Sequence, residues 1–390
     1  MEVFIETLRT QAASWSPQGI EIRRQFHRHP ELSFQETETA ARIRAILDQE
    51  GIRYQSDIGG HGIVGQLSSE DPDSRVIAVR ADMDALPIQE TNAVDYSSAN
   101  PGVMHACGHD VHMTCLIGAL ILLNRNKDQW KGTIKFIFQP AEEKLPGGAS
   151  ILIREGVLEN PKPELILGLH VHPGMAVGTI GFGSGAFMAS CDELYLTIKG
   201  RGGHAAQPHT VIDPVYVSAQ VIVALQALIS REKPAGLPAV LSIGTIHTTG
   251  GATNVIPDEV KLSGTFRTLD ESFRTKAHQR IREIINGICA SYQATADIDI
   301  QIGYPCLINE PQASMRVRTL AKAFLGESSV EEMEPRLTSE DFAYYSQKIP
   351  AVFFRLGVGD VPGVHTARFD VDERAISVGA SMMAYLAARV

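Results

Sequence analysis

Residues 133–173 read TIKFIFQPAEEKLPGGASILIREGVLENPKPELILGLHVHP. TIKFIFQ is an apolar run rich in β-branched and aromatic residues, and Pro140 ends it, so it reads as a buried strand. GASILIREGVL has helical spacing, and ELILGLHVHP is a second strand. A strand, a helix and a strand in this order form a βαβ unit with parallel strands. Outward from here the alternation continues. RVIAVRADMDA (75–85) is another strand leading into acids, and MTCLIGALILLNRN (113–126) reads as a buried helix. TAARIRAILDQEG (39–51) is an amphipathic helix ending on Gly51, and IEIRRQFHRHPELSFQE (20–36) opens a helix that Pro30 closes or kinks.

The texture changes near Met188. CDELYLTIKGRGGH (191–204) is a period-2 strand and residues 213–231 are a long helix. AVLSIGTIHTTGG and DEVKLSGTFRTL look like antiparallel strands, SFRTKAHQRIREIINGICASY like an amphipathic helix, and TADIDIQIGY like a last strand. The order β-α-β-β-α-β is that of a ferredoxin-like module. From Pro305 the α/β texture returns, with AVFFRLGVG as a strand and a closing helix at 374–389. The expected fold is therefore an α/β domain (1–187 and 305–390) with a mostly parallel sheet covered by helices on both faces. An inserted ferredoxin-like α+β satellite domain (188–304) interrupts it. A chain of 390 residues fits two domains better than one core.

Composition narrows the partners. Hydrophobic residues at 44% and charged residues at 21% are ordinary for a globular protein. A net charge of −10 argues against nucleic acid or an anionic membrane. The 5 cysteines, irregularly spaced, form no disulfide framework and fit a reducing compartment. The N-terminal MEVFIETLRTQAASW carries acids where a signal peptide carries positive charge. VYVSAQVIVALQALI (215–229) is short and interrupted by polar residues, so it reads as a packed helix rather than a membrane span. A cytoplasmic location is expected.

Candidate ligands gather at strand ends, where open parallel sheets bind their ligands. Asp82 and Asp84 follow RVIAVR, Glu142 and Glu143 follow TIKFIFQPA, and His170 and His172 end ELILGLHVH. Cys107 and His109 sit in MHACGHDVHM (104–113), just before a helix, and His365 follows the final strand. A Cys/His/Glu set suits a borderline-soft ion such as Zn2+, and also Mn2+, Co2+ or Ni2+. Five groups exceed what one tetrahedral ion takes, which suggests two ions with Cys107 as a bridging thiolate. Of adjacent Glu142 and Glu143, one could bind metal while its neighbour moves protons.

Each of these residues also has an ordinary structural reading. A free cysteine is usually a small buried hydrophobe, and Cys115, Cys191, Cys289 and Cys306 are read that way. Paired glutamates usually face solvent, yet this pair closes an apolar strand. His27, His29 and His61 are read as surface or capping residues. His105, His112 and His172 could orient ligands, but packing is the simpler reading. His204 could merely cap its turn.

Taken together, RADMDALPI, HACGHD, FQPAEE, GLHV, KGRGGHAAQPH, TNVIPDEV, GTFRT, SEDFAYY and the late His365 resemble the N-acyl-amino-acid amidohydrolases, in order and over nearly the whole chain. That group contains aminoacylase-like enzymes, hippurate hydrolases and indole-acetyl-amino-acid hydrolases within the co-catalytic dinuclear metallopeptidases. The resemblance implies two divalent ions per subunit bridged by Cys107, with His109 and His170 completing one site and Glu143 and His365 the other. It implies Glu142 as general base and His204 as donor to the developing oxyanion. Arg267, helped by Asn254, would hold the substrate α-carboxylate, with Asp82 and Asp84 orienting ligands or pairing a positive group. The substrate would sit between domains that close for hydrolysis. Relatives resembling this chain pair their satellite domains and share a histidine across the interface, which implies a homodimer. Asp82 stands where the wider superfamily has His, and Cys107 where it has a bridging Asp, as in a cysteine-bridged branch. TAR after His365 departs from the Ser-Pro common in relatives and leaves that loop's shape open.

The implied reaction is hydrolysis of N-acyl-L-amino acids to a carboxylate and a free amino acid. Alternatives are deacetylation of a biosynthetic intermediate such as acetyl-diaminopimelate, or dipeptide cleavage. A non-catalytic amino-acid or metal binder would lack Glu142, and a thiol oxidoreductase would need a resolving cysteine; no C-x-x-C occurs.

Overall fold

The computed structural model describes residues 2–69 and 71–390. The chain forms two compact units. One comprises the residues up to Gly185, Ile308–Glu334 and Asp341–Val390; the other comprises Ala186–Leu307 and Pro335–Glu340. The short return of 335–340 to the second unit has no counterpart in the sequence reading, because six residues carry no periodicity.

The first unit is built on an 8-stranded sheet. Its strands include β1 (Tyr54–Ile58), β2 (Gly62–Ser68), β3 (Val76–Asp82), β4 (Thr133–Gln139), β5 (Leu165–His172) and β6 (Ile180–Phe182). The order is β1-β2-β4-β3-β5, then Ala351–Gly357, β6 and Val330–Glu332. The centre, from β4 through β3 and β5 to Ala351–Gly357, is parallel. Antiparallel pairs flank it, β1 with β2, β2 with β4 and Ala351–Gly357 with β6.

Alternation along these strands sorts their side chains. Ile77, Val79, Ile134, Phe136, Leu167, Leu169, Val352 and Phe354 join the apolar core. That core also takes buried residues from helices α1 (Glu2–Arg28), α2 (Thr37–Gln49) and α3 (His109–Arg125) and from the C-terminal helix Ala375–Arg389. The alternate positions carry buried polar groups: Arg80 and Asp82, Lys135 and Gln139, His170, and Arg355. Helix α3 is buried from His109 to Leu123, which explains its all-round apolar sequence.

Two local readings need correction, and one further element was not expected. Helix α1 begins at Glu2 rather than near residue 20 and keeps Pro17 inside it. Proline removes one helical N–H, but Phe4, Ile5, Leu8, Ala12 and Trp15 anchor the preceding turns in the core. Helix α3 starts at His109, so this histidine opens the helix instead of preceding it. Finally, RYQSDIGGHGIVGQLS folds as the β1–β2 hairpin, whose turn places Gly59 and Gly60 at positive φ.

In the second unit four antiparallel strands run in the order Ala239–Thr248, Glu259–Thr268, Asp192–Lys199, Thr295–Ile302. The helices Pro214–Ala227 and Glu271–Ser291 bury Val217, Val221, Leu225, Ile281 and Ile285 with Leu194, Leu196 and Ile198 of the sheet. The β-α-β-β-α-β order makes this a ferredoxin-like module. Pro214–Glu232 is long and apolar enough to cross a membrane by length and composition alone. Here its Val217, Val221, Leu225 and Leu228 pack into the module's own core.

Candidate metal centre

Five side chains of the first unit bring possible ligand atoms together in two triads that share Cys107. The donor atoms of Cys107, His109 and His170 lie within 4.8 Å of one another, and so do those of Cys107, Glu143 and His365. Cys107 Sγ stands 3.4 Å from His170 Nε2 and 3.3 Å from His365 Nε2. His365 Nε2 stands 3.3 Å from Glu143 Oε1.

Local structure explains how each residue reaches this point. Gly108 caps α3 with φ 84°, in the left-handed region. A Cβ at Gly108 would lie 2.5 Å from Val171 Cγ2, so only glycine lets the Cys107–His109 turn lie against β5. His170 lies near the end of β5, where its Nδ1–H donates to the Val171 carbonyl at 2.7 Å. That bond leaves Nε2 as the lone-pair nitrogen facing Cys107, the usual arrangement of a metal-ligating imidazole. His365 lies outside any helix or strand at φ 61°, and its N–H donates to the Ala106 carbonyl at 2.7 Å.

Behind these candidate ligands lies a layer of buried carboxylates. Asp84 accepts the N–H of Glu142 at 3.0 Å, the N–H of Glu143 at 2.9 Å and the Ser33 hydroxyl at 2.6 Å. Its Oδ1 also stands 3.3 Å from His109 Nδ1. Glu36 accepts the N–H of Ala141 at 2.8 Å. Three successive N–H groups thus point at two carboxylates, holding Ala141 at φ 54° and directing Glu142 and Glu143 to different places. Burial and the nearby Asp84 charge push the Glu36 carboxyl up to about 7.

Asp82 accepts from Arg80 at 2.6 Å, and its other oxygen lies 2.6 Å from His112 Nδ1. His112 Nε2 accepts the Val171 N–H at 2.9 Å, so its Nδ1–H donates to Asp82. The cluster Asp82, His109, His112 also has the spacing of a metal site. With both His112 nitrogens already bonded, it is better described as a support for α3 and β5. Arg80 and Gln139 extend this support to Asp341, each bond 2.8 Å long.

The electrostatics favour a cation between the two triads. Burial raises the Cys107 thiol well above its ordinary range, and Glu143, Glu142 and Asp82 raise it further. A thiolate here therefore requires positive charge at the same point. Burial lowers the basicity of His109, but Asp82 and Asp84 outweigh it and push its pKa up to about 10. The negative charge that holds a proton on His109 is available to a divalent ion instead. His109 Nε2 and Glu143 Oε1 are buried without a hydrogen-bond partner among the described residues, as ligand atoms awaiting a cation would be, while His109 Nδ1 faces Asp84. The donor set and its orphaned atoms fit two divalent ions.

The other histidines divide. His105 is fully buried, has no hydrogen-bond partner among the described residues, and burial pushes its pKa down to about 3. His27, expected at the surface, is fully buried between Asp110 and Glu90 at 2.8 and 3.2 Å. Its partners lie 83 and 63 positions away, so the polar face of α1 gave no sign of them.

His204, Asn254 and Arg267 belong to the second unit. His204 pairs with Val255, and the Asn254 carbonyl accepts the Ala205 N–H at 2.9 Å, which brings His204 and Asn254 together. His204 Nδ1 accepts the Ala206 N–H at 3.1 Å, so neutral His204 carries its proton on Nε2 as a donor. Arg267, half-buried, donates to the Leu337 carbonyl at 3.1 Å.

The model of peptidase family M20/M25/M40 matches residues 78–389. An N-acetylcysteine deacetylase of Bacillus subtilis is 40% identical over 371 residues, 94% of this chain and 95% of that protein. Thermostable carboxypeptidase 2 of Saccharolobus solfataricus is 38% identical over 376 residues, 94% of each chain. Among solved structures, a dinuclear metal binding peptidase of the M20 family from Bacillus subtilis superimposes with a TM-score of 0.83. It is 35% identical, and the match covers 96% of this chain and 98% of that one.

Proposed function

The chain belongs to peptidase family M20/M25/M40, hydrolases of amide bonds, and from that premise we propose that it cleaves N-acyl-L-amino acids to a carboxylate and a free amino acid. The observation that carries the proposal is the pair of donor triads sharing Cys107, with the Glu142 carboxylate close to His109 and Glu143 but outside both triads. Two divalent ions held by Cys107, His109, His170, Glu143 and His365 would polarise the scissile carbonyl and lower the pKa of a nearby water.

The chain's own residues would do the rest. Glu142, fixed through its N–H by Asp84, would take the water's proton and deliver it to the leaving nitrogen, so that the amine departs neutral. His204 would donate its Nε2–H to the developing oxyanion; loss of such a donor typically costs about 10²–10³ in rate. Arg267 would hold the α-carboxylate by a charge-assisted bond, with Asn254 beside it. The similarity to an N-acetylcysteine deacetylase supports an acyl group on the substrate nitrogen. The similarity to a carboxypeptidase supports a second reading, in which the acyl group is itself an amino acid or peptide.

We further propose that two copies pair through the second unit. Its edge strand Ala239–Thr248 exposes Ile246, and the helix Pro214–Ala227 exposes Val215, Tyr216 and Val223. An apolar patch beside an open strand edge is costly unless covered.

The direct test is to strip the enzyme with a chelator, assay it on an N-acetyl amino acid, and then restore Mn2+, Zn2+ or Co2+. Loss and recovery of turnover is expected; full turnover in metal-free protein would overturn the proposal.

A further inference from the structure

The buried charges around α1 have no part in the roles above. Arg23 and His27, 4 positions apart, have no exposed surface. Arg23 Nε donates to Asp110 at 2.7 Å, its Nη2 donates to Asp370 at 3.0 Å, and its Nη1 lies 3.4 Å from Glu373. The Tyr96 hydroxyl donates to the other Asp370 oxygen at 2.7 Å. Asp110 directly follows His109 at the start of α3, and Asp370 lies in the same loop as His365, between Gly357 and the helix that starts at Ala375. One guanidinium therefore joins the two segments that present ligands from opposite ends of the sequence.

The two triads are not held equally. His109 opens α3 and His170 lies in β5, so the two ligands particular to the first triad come from regular elements. His365 comes from a loop, with its side chain 52% exposed. Besides the His365–Cys107 approach, that loop is tied to the ligand turn by the His365 N–H to the Ala106 carbonyl and by Arg23 between Asp110 and Asp370.

We propose that Arg23 is a positioning residue for the second metal site, holding the His365 loop against the start of α3 and so setting the distance from His365 to Cys107. The proposal rests on the ligand assignment above. The planar guanidinium donates from separate nitrogens, Nε to Asp110 and Nη2 to Asp370, whereas lysine offers one nitrogen on a differently shaped stem, so it would keep the charge and lose this clamp. A network serving stability alone would lower the unfolding midpoint and leave metal binding unchanged.

The test titrates Co2+ into metal-stripped wild type, Arg23→Lys and Asp370→Asn. Visible absorption and atomic analysis count the ions, and circular dichroism checks the fold. Wild type should bind two ions. Each folded variant should bind its first ion as wild type does and its second about 10–100-fold more weakly, the usual cost of removing a group that orients a ligand. Retention of both affinities, or equal loss of both, overturns the clamp while leaving the ligand assignment intact. If Arg23→Lys fails to fold, Asp370→Asn alone decides between the same outcomes. Fewer than two ions in wild type would instead overturn the ligand assignment, and the clamp with it.

Discussion

Asp84 Oδ2 accepts the backbone N–H of Glu143 at 2.9 Å, across 59 positions of sequence. The same carboxylate holds the N–H of Glu142 and lies against His109, so it sets where the proposed base stands relative to the ligands. Asp84→Asn would turn an NH2 group toward N–H groups that need an acceptor. A loss of roughly 2–4 kcal/mol is expected in urea unfolding, since a buried charged acceptor is removed. Metal occupancy should fall with it. An unchanged midpoint and occupancy would show that the turn holds its shape without Asp84.

Glu142 and Glu143 should separate in their metal requirement. Glu142→Gln is expected to keep two ions per chain and lose about 10²–10⁴ in kcat. Glu143→Ala should lose an ion as well as activity. Metal analysis of the two purified variants checks this, and equal metal loss in both would mean that the roles are exchanged or shared.

The second unit carries its own pH signature. Asp192 is buried and accepts from Arg274 and His278, each at 2.6 Å. Burial raises its pKa, but the bonds and charges of His278 and Arg274 outweigh this and hold the carboxyl below its ordinary value. A group whose folded pKa is depressed contributes stability that is present above its unfolded pKa, about 3.9, and is lost as pH falls through the folded value. The stability gap between wild type and Asp192→Asn should therefore be full near neutral pH and shrink below about pH 4. A gap that does not change with pH would show that the ion pair is not its source.

If His204 of one copy serves the other's substrate, two crippled variants should complement. His204→Ala and Glu142→Ala, each nearly inactive alone, are mixed and allowed to exchange subunits. A mixed dimer contains one site with intact Glu142 and a donated intact His204, so activity should return to about a quarter of wild type. No recovery after demonstrated exchange would place His204 in its own copy's site.

The alternating strands and helices of both units were legible because buried parallel strands are apolar throughout and half-buried antiparallel ones alternate. The candidate site residues at strand ends were legible for a related reason: Glu142 follows, and His170 ends, an apolar run that no surface strand would contain. The residues that support them were not legible. Arg23 and His27 look like the polar face of an amphipathic helix, and their partners lie up to 350 positions away. His112 sits within a run that also fits a buried helix, and only its bonds to Asp82 and Val171 mark it. The β1–β2 hairpin was missed because YQSDI alternates intermediate and exposed residues with little apolar content.

The central claim is that the chain hydrolyses the amide of an N-acyl amino acid and recognises the free carboxylate beside it. The most direct measurement is release of free amino acid by metal-reconstituted enzyme from a panel of N-acyl-L-amino acids. Each substrate is run beside the same compound with its carboxylate amidated. Turnover of several N-acyl amino acids, with strong loss on amidation, is the expected result. No release from any N-acyl amino acid, by protein carrying both ions, would contradict the claim.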